Sequence, residues 1–308
     1  MSSASPSALH NSRPFFAMAL RLMAMLMLSI MFACVKWASD RGVHIVETLF
    51  YRQLFSLPVV MASLAIGPGF AALRTSRIGA HASRSLVGTI GMVLNFGAVI
   101  LLPLAEAMSI GFTVPIFATI LSTIFLGERP GIHRWLAVLT GFAGVMLIIG
   151  PASGGALPSS GILVAISAAV ATACVSLLLR QLGRTESPTT TVFYFAALSL
   201  PPLGIAMLFV GQSHDPLTWL IIVAMGTFGG VAQILMTSAL RWGPVSLVLP
   251  MDYSTLLWST ILGWLLWNSW PGRWTWLGAV VIAASSLYIA WREHVRRREA
   301  INQGIPLT

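Results

Sequence analysis

Ten long apolar runs, separated by short polar segments, make up most of this chain. They cover about 17–38, 46–66, 84–104, 107–127, 134–151, 161–180, 189–211, 217–240, 244–267 and 274–292. A helix needs roughly 20 apolar residues to cross the hydrocarbon of a bilayer, and each run approaches that length. Helix breakers mark the connections: Gly67-Pro68-Gly69, Pro130-Gly131, the stretch Pro151 to Gly161, Gly183 to Pro188, Asp215-Pro216, Gly243-Pro244 and Pro271-Gly272. The pattern predicts an all-α integral membrane protein with ten transmembrane helices. Residues 1–14 are expected to be a disordered tail, 293–308 a basic tail, and 299–308 to lack order.

The runs fall into two copies. Ala33-Cys34-Val35 returns as Ala173-Cys174-Val175, and Phe50-Tyr51 with Ser56-Leu57-Pro58 returns as Phe193-Tyr194 with Ser199-Leu200-Pro201. Pro130-Gly131 with Trp135-Leu136 returns as Pro271-Gly272 with Trp276-Leu277. The offsets are 140, 143 and 141 residues, so the three matches lie nearly in register. The halves are 15–151 and 161–292, joined by an uncharged linker at 152–160. Five helices per copy is an odd number, so the second copy enters the membrane in the opposite sense. Such inverted repeats are typical of secondary transporters, which bind solute near the bilayer midplane between the copies.

Composition agrees with a bilayer. Of 308 residues, 56% are hydrophobic and 9% charged, where a soluble domain carries about 25% charged residues. The formal net charge of +9 does not point to nucleic acid, because the arginines are spread between apolar runs instead of gathering on one polar face. They read as orientation signals. With the N-terminus in the cytoplasm, 14 of the 18 basic residues fall on cytoplasmic segments and helix ends: Arg13, Arg21, Arg74, Arg77, Arg84, Arg129, Arg134, Arg180, Arg184, Arg241, Arg292, Arg296, Arg297 and Arg298. Both termini are therefore expected inside. The repeat supports inversion at one loop. Gly-Glu-Arg-Pro-Gly-Ile-His-Arg at 127–134 corresponds to Asn-Ser-Trp-Pro-Gly-Arg-Trp-Thr at 268–275, where most charge is lost and tryptophans suit an outer interface. Cys34 and Cys174 sit inside apolar runs and read as small buried hydrophobes. Arg13 before an apolar stretch and Ala33-Cys34 could suggest signal or lipoprotein processing, but the same Ala-Cys-Val lies mid-helix in the second copy.

Ala105 to Pro151 reads AEAMSIGFTVPIFATILSTIFLGERPGIHRWLAVLTGFAGVMLIIGP. It resembles the end of the EamA unit of the drug/metabolite transporter superfamily: a helix with Pro, then Leu-Gly-Glu-Arg, then a Gly-rich helix. Residues 243–291 resemble a second unit through Gly-Pro-Val-Ser, Pro-Met-Asp-Tyr and Leu-Gly-Trp-Leu-Leu. Here Asn268-Ser269 replaces the second Gly-Glu, so whatever that glutamate does rests on Glu128 alone. The resemblance implies an inverted 5+5 repeat and a solute carrier of the bacterial inner membrane. Members move amino acids, purines, drugs, riboflavin, S-adenosylmethionine and metallophores.

Ionisable groups within the membrane are functional candidates. Arg52, about two turns into the second helix, is replaced in the repeat by Phe195; it is a candidate for an anionic substrate group, the alternative being a structural pair with Glu47 or Glu106. Lys36, the only lysine, is a second such candidate; the alternatives are snorkelling to the interface and a pair with Asp40 four residues on. Asp252, following Pro250 in the ninth run, is the deepest acid and the first candidate for proton coupling, with Glu106 the second; a polar lock to a neighbouring helix is the other reading of Asp252. Asn95, Gln233, Tyr253 and Trp258 are candidates for cavity walls and specificity, or for helix packing.

The chain shows no P-loop, no metal-ligand cluster, no nucleophile–base pair and no cofactor motif. The expected function is a secondary transporter of a small organic solute, with amino-acid efflux driven by protons as the first reading. Uptake of a compound such as S-adenosylmethionine or riboflavin is the alternative; a non-transporting scaffold or a membrane enzyme is the alternative of another class. The expected partners are the solute, protons and the lipid bilayer, with a second copy of the chain a further candidate.

Overall fold

A computed structural model describes residues 14–67, 69–126, 131–149, 157–183, 185–242 and 248–302. Buried in lipid, a backbone must satisfy its own N–H and C=O groups, which leaves the helix as the economical answer for each apolar run. Eleven α-helices result among the described residues: α1 (Pro14–Asp40), α2 (Ile45–Ile66), α3 (Ile78–Leu101), α4 (Leu104–Gly111), α5 (Val114–Leu126), α6 (Ile132–Ile149), α7 (Ser159–Leu182), α8 (Pro188–Val210), α9 (Pro216–Trp242), α10 (Ser254–Trp267) and α11 (Arg273–Asn302). Helices α4 and α5 form one pass, giving ten passes. Among the described residues, seven stretches are long and apolar enough to cross a membrane, and Trp135–Ile148 is a shorter apolar helix.

Two runs expected to be single helices are broken, each at a proline. Pro115 has no N–H to give the carbonyl of Gly111, and α4 ends there. Side chains also bond to carbonyls at the joint: Thr113 donates to Ile110 O at 2.7 Å and Ser286 of α11 donates to Phe112 O at 3.0 Å. The ninth run passes through a 3₁₀ turn, Leu249–Tyr253, before α10, so Asp252 lies in a tight turn and not within a regular helix. At the C-terminus α11 continues to Asn302, so the expected basic tail begins as helix, including 299–302. Glu128 and Arg129, and most of the linker at 152–160, fall outside the described residues.

Packing realises the inverted repeat. The first helix of copy one, α1, packs along α9, the third helix of copy two. In return α7, the first helix of copy two, packs along α3, the third of copy one. Helices α2 and α8 meet across the two-fold, as do α6 and α11. The last pair comes close because both partners are glycine at the crossing: a Cβ at Gly144 would stand 2.9 Å from the carbonyl oxygen of Gly278. Large apolar side chains such as Phe125, Leu208 and Phe209 are turned outward, at 73%, 82% and 84% exposure, which suits lipid and not water.

The chain ends define two faces. One carries the start of α1, where Phe16 packs against Trp242 at the end of α9, and we call it the terminal face. On the distal face, Trp267 donates to Asp40 at 2.6 Å and Arg41 pairs with Asp215 at 3.1 Å. Trp264 and Trp270 pack edge to face there, both half-exposed or more, as tryptophans of an interfacial belt do.

Candidate substrate-binding site

Helices α2, α3, α8 and α9 line a small, partly open cavity of about 30 Å³, room for a water molecule or two. Its charged wall consists of two guanidinium groups, Arg52 from α2 and Arg84 from α3. Gln53, Ser56, Phe195 and Gln233 add polar and aromatic surface, and Gly229 and Gly230 of α9 let that helix approach α2. A Cβ at Gly230 would lie 3.2 Å from the Cα of Ser56.

The positions of the two arginines follow from their neighbours. Arg52 donates to the amide oxygen of Gln53, and the Gln53 nitrogen donates to Ser199 Oγ of α8 at 2.6 Å. Arg84, only 8% exposed, lays its guanidinium 4.0 Å from the centre of the Phe195 ring, a cation–π contact. Gly88, one turn further along α3, makes room for that stack: a Cβ there would come 2.9 Å from the Phe195 ring and would collide with the guanidinium. The position that holds Arg52 in copy one thus holds, in copy two, the ring on which the other arginine rests.

Among the described residues, no acid lines this cavity. Three donor atoms are buried without any hydrogen-bond partner: Nε of Arg52, and Nε and Nη1 of Arg84. Each buried unsatisfied donor costs about 1–3 kcal/mol, more when charged. Two like charges at one cavity add repulsion. A fold retains such an arrangement where something else completes it, and hydrogen-bond acceptors of a ligand would do so.

The structure brings together two of the sequence candidates, Arg52 and Gln233, and places the others elsewhere. The alternative reading of Arg52, a pair with Glu47 or Glu106, is not realised: Glu47 pairs with His214 and Glu106 accepts from Thr275. Lys36 neither snorkels free nor pairs with Asp40. Its ammonium donates to the carbonyls of Val99 at 2.9 Å, Ile100 at 3.3 Å and Leu102 at 2.9 Å, closing the end of α3 where Pro103 stops the helix. Asn95 joins helices, donating to Gly91 O at 2.8 Å and to Thr172 Oγ1 of α7 at 3.1 Å. Asp252 is gripped by Arg21 of α1 through two bonds, at 2.5 and 2.7 Å. This is the polar lock between helices that was its second reading. Tyr253 packs against Phe112 with centroids 4.9 Å apart, and Trp258 buries its indole N–H without a partner. Glu106 is 6% exposed, with Oε1 3.2 Å from Thr275 Oγ1 and Oε2 unpartnered.

Sequence reasoning missed Arg84 and Gln53. Arg84 and Arg21 were read only as orientation signals, yet both are buried, at 8% and 4% exposure. The available signal for Arg84 was its place one turn before the small-residue pair Gly88 and Gly91, since a close approach beside an arginine suggests that it points inward.

The EamA-like transporter family matches the chain at residues 15–150 and 159–291. A riboflavin transporter of Vibrio cholerae is 34% identical over 232 residues, 74% of this chain and 76% of that protein. A riboflavin transporter of Brucella anthropi is 29% identical over 86% of this chain and 95% of its own length. An S-adenosylmethionine uptake transporter of Rickettsia prowazekii is 27% identical over 81% of this chain and 84% of that one. A protein of known crystal structure shares the fold with a TM-score of 0.60 at 21% identity, over 92% of this chain and 98% of the other.

Proposed function

Because the chain belongs to the EamA-like transporter family, and is thus a multi-pass membrane transporter and not an enzyme, we propose that the double-arginine cavity is its cargo site. The cargo is a small organic solute rich in hydrogen-bond acceptors, carried into the cell across the bacterial inner membrane. Both termini are cytoplasmic in this reading, which the arginine distribution supports. The observation that carries it is the set of buried guanidinium donors, on Arg52 and Arg84, left without partners at a cavity free of acids.

Riboflavin is the first cargo to test, held in a state whose cavity is wider than the 30 Å³ seen here. Its ring presents two carbonyls and a basic nitrogen to guanidinium donors, and an imide that an amide such as Gln233 can match. The relatives named as riboflavin transporters support the same choice. S-adenosylmethionine offers a carboxylate to the arginines, but its sulfonium and amine would find no acid at this cavity. Amino-acid efflux has less support, since the relatives named here carry riboflavin or S-adenosylmethionine. Among the acids, Glu106, with one oxygen unpartnered, suits proton coupling better than Asp252, which Arg21 occupies.

The test is uptake of radiolabelled riboflavin into proteoliposomes. The native protein should accumulate it, while Arg52→Gln and Arg84→Gln should each lose at least tenfold in rate with normal membrane insertion. Equal uptake by native and variant proteins would remove the cargo site from this cavity; absence of uptake by the native protein, with S-adenosylmethionine transported instead, would remove riboflavin.

A further inference from the structure

Two histidine–carboxylate couples lie outside the cavity, and the repeat relates them. On the distal face Glu47, in the first turn of α2, meets His214, two residues before α9, with Oε2 and Nε2 2.5 Å apart. On the terminal face Glu186, two residues before α8, faces His81, in the first turn of α3, with Oε2 and Nε2 3.6 Å apart. Helix α8 is the second-copy counterpart of α2, and α9 that of α3. Each couple therefore joins the head of one copy's second helix to the head of the other copy's third. The glutamates are 139 residues apart in sequence and the histidines 133, close to the repeat offset.

Neither couple is a surface ion pair. The side chains are 7% and 0% exposed for His214 and Glu47, and 0% and 8% for His81 and Glu186. Nor are the two in the same state. The distal couple is closed, whereas at 3.6 Å the terminal couple makes no hydrogen bond and both ring nitrogens of His81 lack partners. The cavity lies between them on the same four helices. Two symmetry-related contacts at different separations, one at each end of the cavity, suit a carrier whose repeats rock about that site.

We propose that these couples are the proton-binding gates of the carrier, Glu47–His214 at the distal face and His81–Glu186 at the terminal face. This rests on the carrier reading and adds to it. Each histidine lies at the head of a helix on its own face and gains or loses its proton when that face opens. A neutral imidazole donates one ordinary hydrogen bond to the carboxylate, while an imidazolium forms a charge-assisted bond about twice as strong. Protonation of a histidine therefore tightens the gate of its own face. With the distal face outward, an acidic exterior holds the outer gate shut and favours the cavity open to the cytoplasm, the state in which imported cargo leaves.

The surrounding groups leave the histidines as the switching elements. Around the distal couple, His44 accepts from Val46 N at the head of α2, Tyr51 lies one turn on, Trp219 stands edge-on to His214, and Arg41 is engaged with Asp215. Around the terminal couple, Tyr194 stacks on His81 at 4.6 Å, Thr75 donates to Glu186 at 2.7 Å and Arg77 donates to Thr185. Arg84, one turn along α3, rests on Phe195.

The experiment reads access to the cavity and does not depend on cargo. In a background without Cys34 and Cys174, Ser56→Cys places a single thiol on the cavity wall, and an impermeant maleimide is applied to right-side-out or inside-out vesicles. Raising the pH on the distal face from 6 to 8 should increase labelling from that face at least fivefold beyond the intrinsic rise of a free thiol. His214→Gln should abolish the increase, and the swap Glu47→His with His214→Glu should restore it. His81→Gln should do the same for the terminal face and leave the distal response intact. Labelling that tracks a free thiol in the native sequence, or a full response in a correctly inserted His214→Gln, would overturn the proposal. If His214→Gln does not insert, the swapped couple and His81→Gln decide in the same way. Failure of riboflavin uptake with a normal labelling response would count against the cargo and not against the gates.

Discussion

Lys36 and the pair Arg52 and Arg84 are cations within the same membrane, and their surroundings are opposite. Lys36 has three N–H donors and three backbone carbonyls around them, all at the broken end of α3. The arginines have three buried donor atoms with no acceptor, beside a cavity with no acid. A cation whose donors are all met belongs to the scaffold. One whose donors are left open stores a binding site, because the cost of leaving them open is recovered only when a ligand arrives.

The sharpest way to break this contrast is to neutralise each cation and measure stability and transport together. Lys36→Met should lower the melting temperature, through about 1–3 kcal/mol for uncovered carbonyls, and reduce transport only in proportion to folded protein. Arg84→Gln should leave the melting temperature equal or higher while the transport rate falls at least tenfold. The opposite assignment of effects would reverse the roles.

Asp252 and Arg21 extend the contrast to an ion pair whose charges already complete each other. Asp252→Asn leaves a buried guanidinium short of its partner and should destabilise by about 1–3 kcal/mol, with Arg21→Gln added recovering part of the loss. If Asp252→Asn instead keeps full stability and loses only gradient-driven accumulation, Asp252 is a coupling site after all.

The smallest expected effect is at the exposed Asp215. The hydroxyl of Thr218 donates to its carboxylate at 2.5 Å and Arg41 pairs with it, which together hold its pKa below the ordinary aspartate value, the hydrogen bond being the larger cause. A depressed native pKa means stability that is present above about pH 4, the unfolded value, and lost as pH falls through the native one. Asp215→Asn should therefore give a small loss of melting temperature at pH 7 that vanishes in acid. A loss that persists unchanged below pH 3 would assign it to packing.

The apolar runs and the three repeated words settled ten passes, two copies and the inversion, because in a bilayer each run has one way to satisfy its backbone and five passes per copy force the second to enter reversed. Arg52 was legible as a candidate, since a charge at a position that holds Phe195 in the other copy argues against a purely symmetric scaffold role. Tertiary structure decided the partners. Nothing in the linear order says that the carbonyls around Leu102 wait for Lys36, that Arg21 reaches Asp252 across 231 positions, or that Arg84 stacks on Phe195 while Arg52 has no acid to meet. Those outcomes depend on which helices cross and at what height. Hydropathy fixes that a helix is buried but leaves its neighbours to be chosen by packing, and a buried charge takes its role from the neighbour it finds.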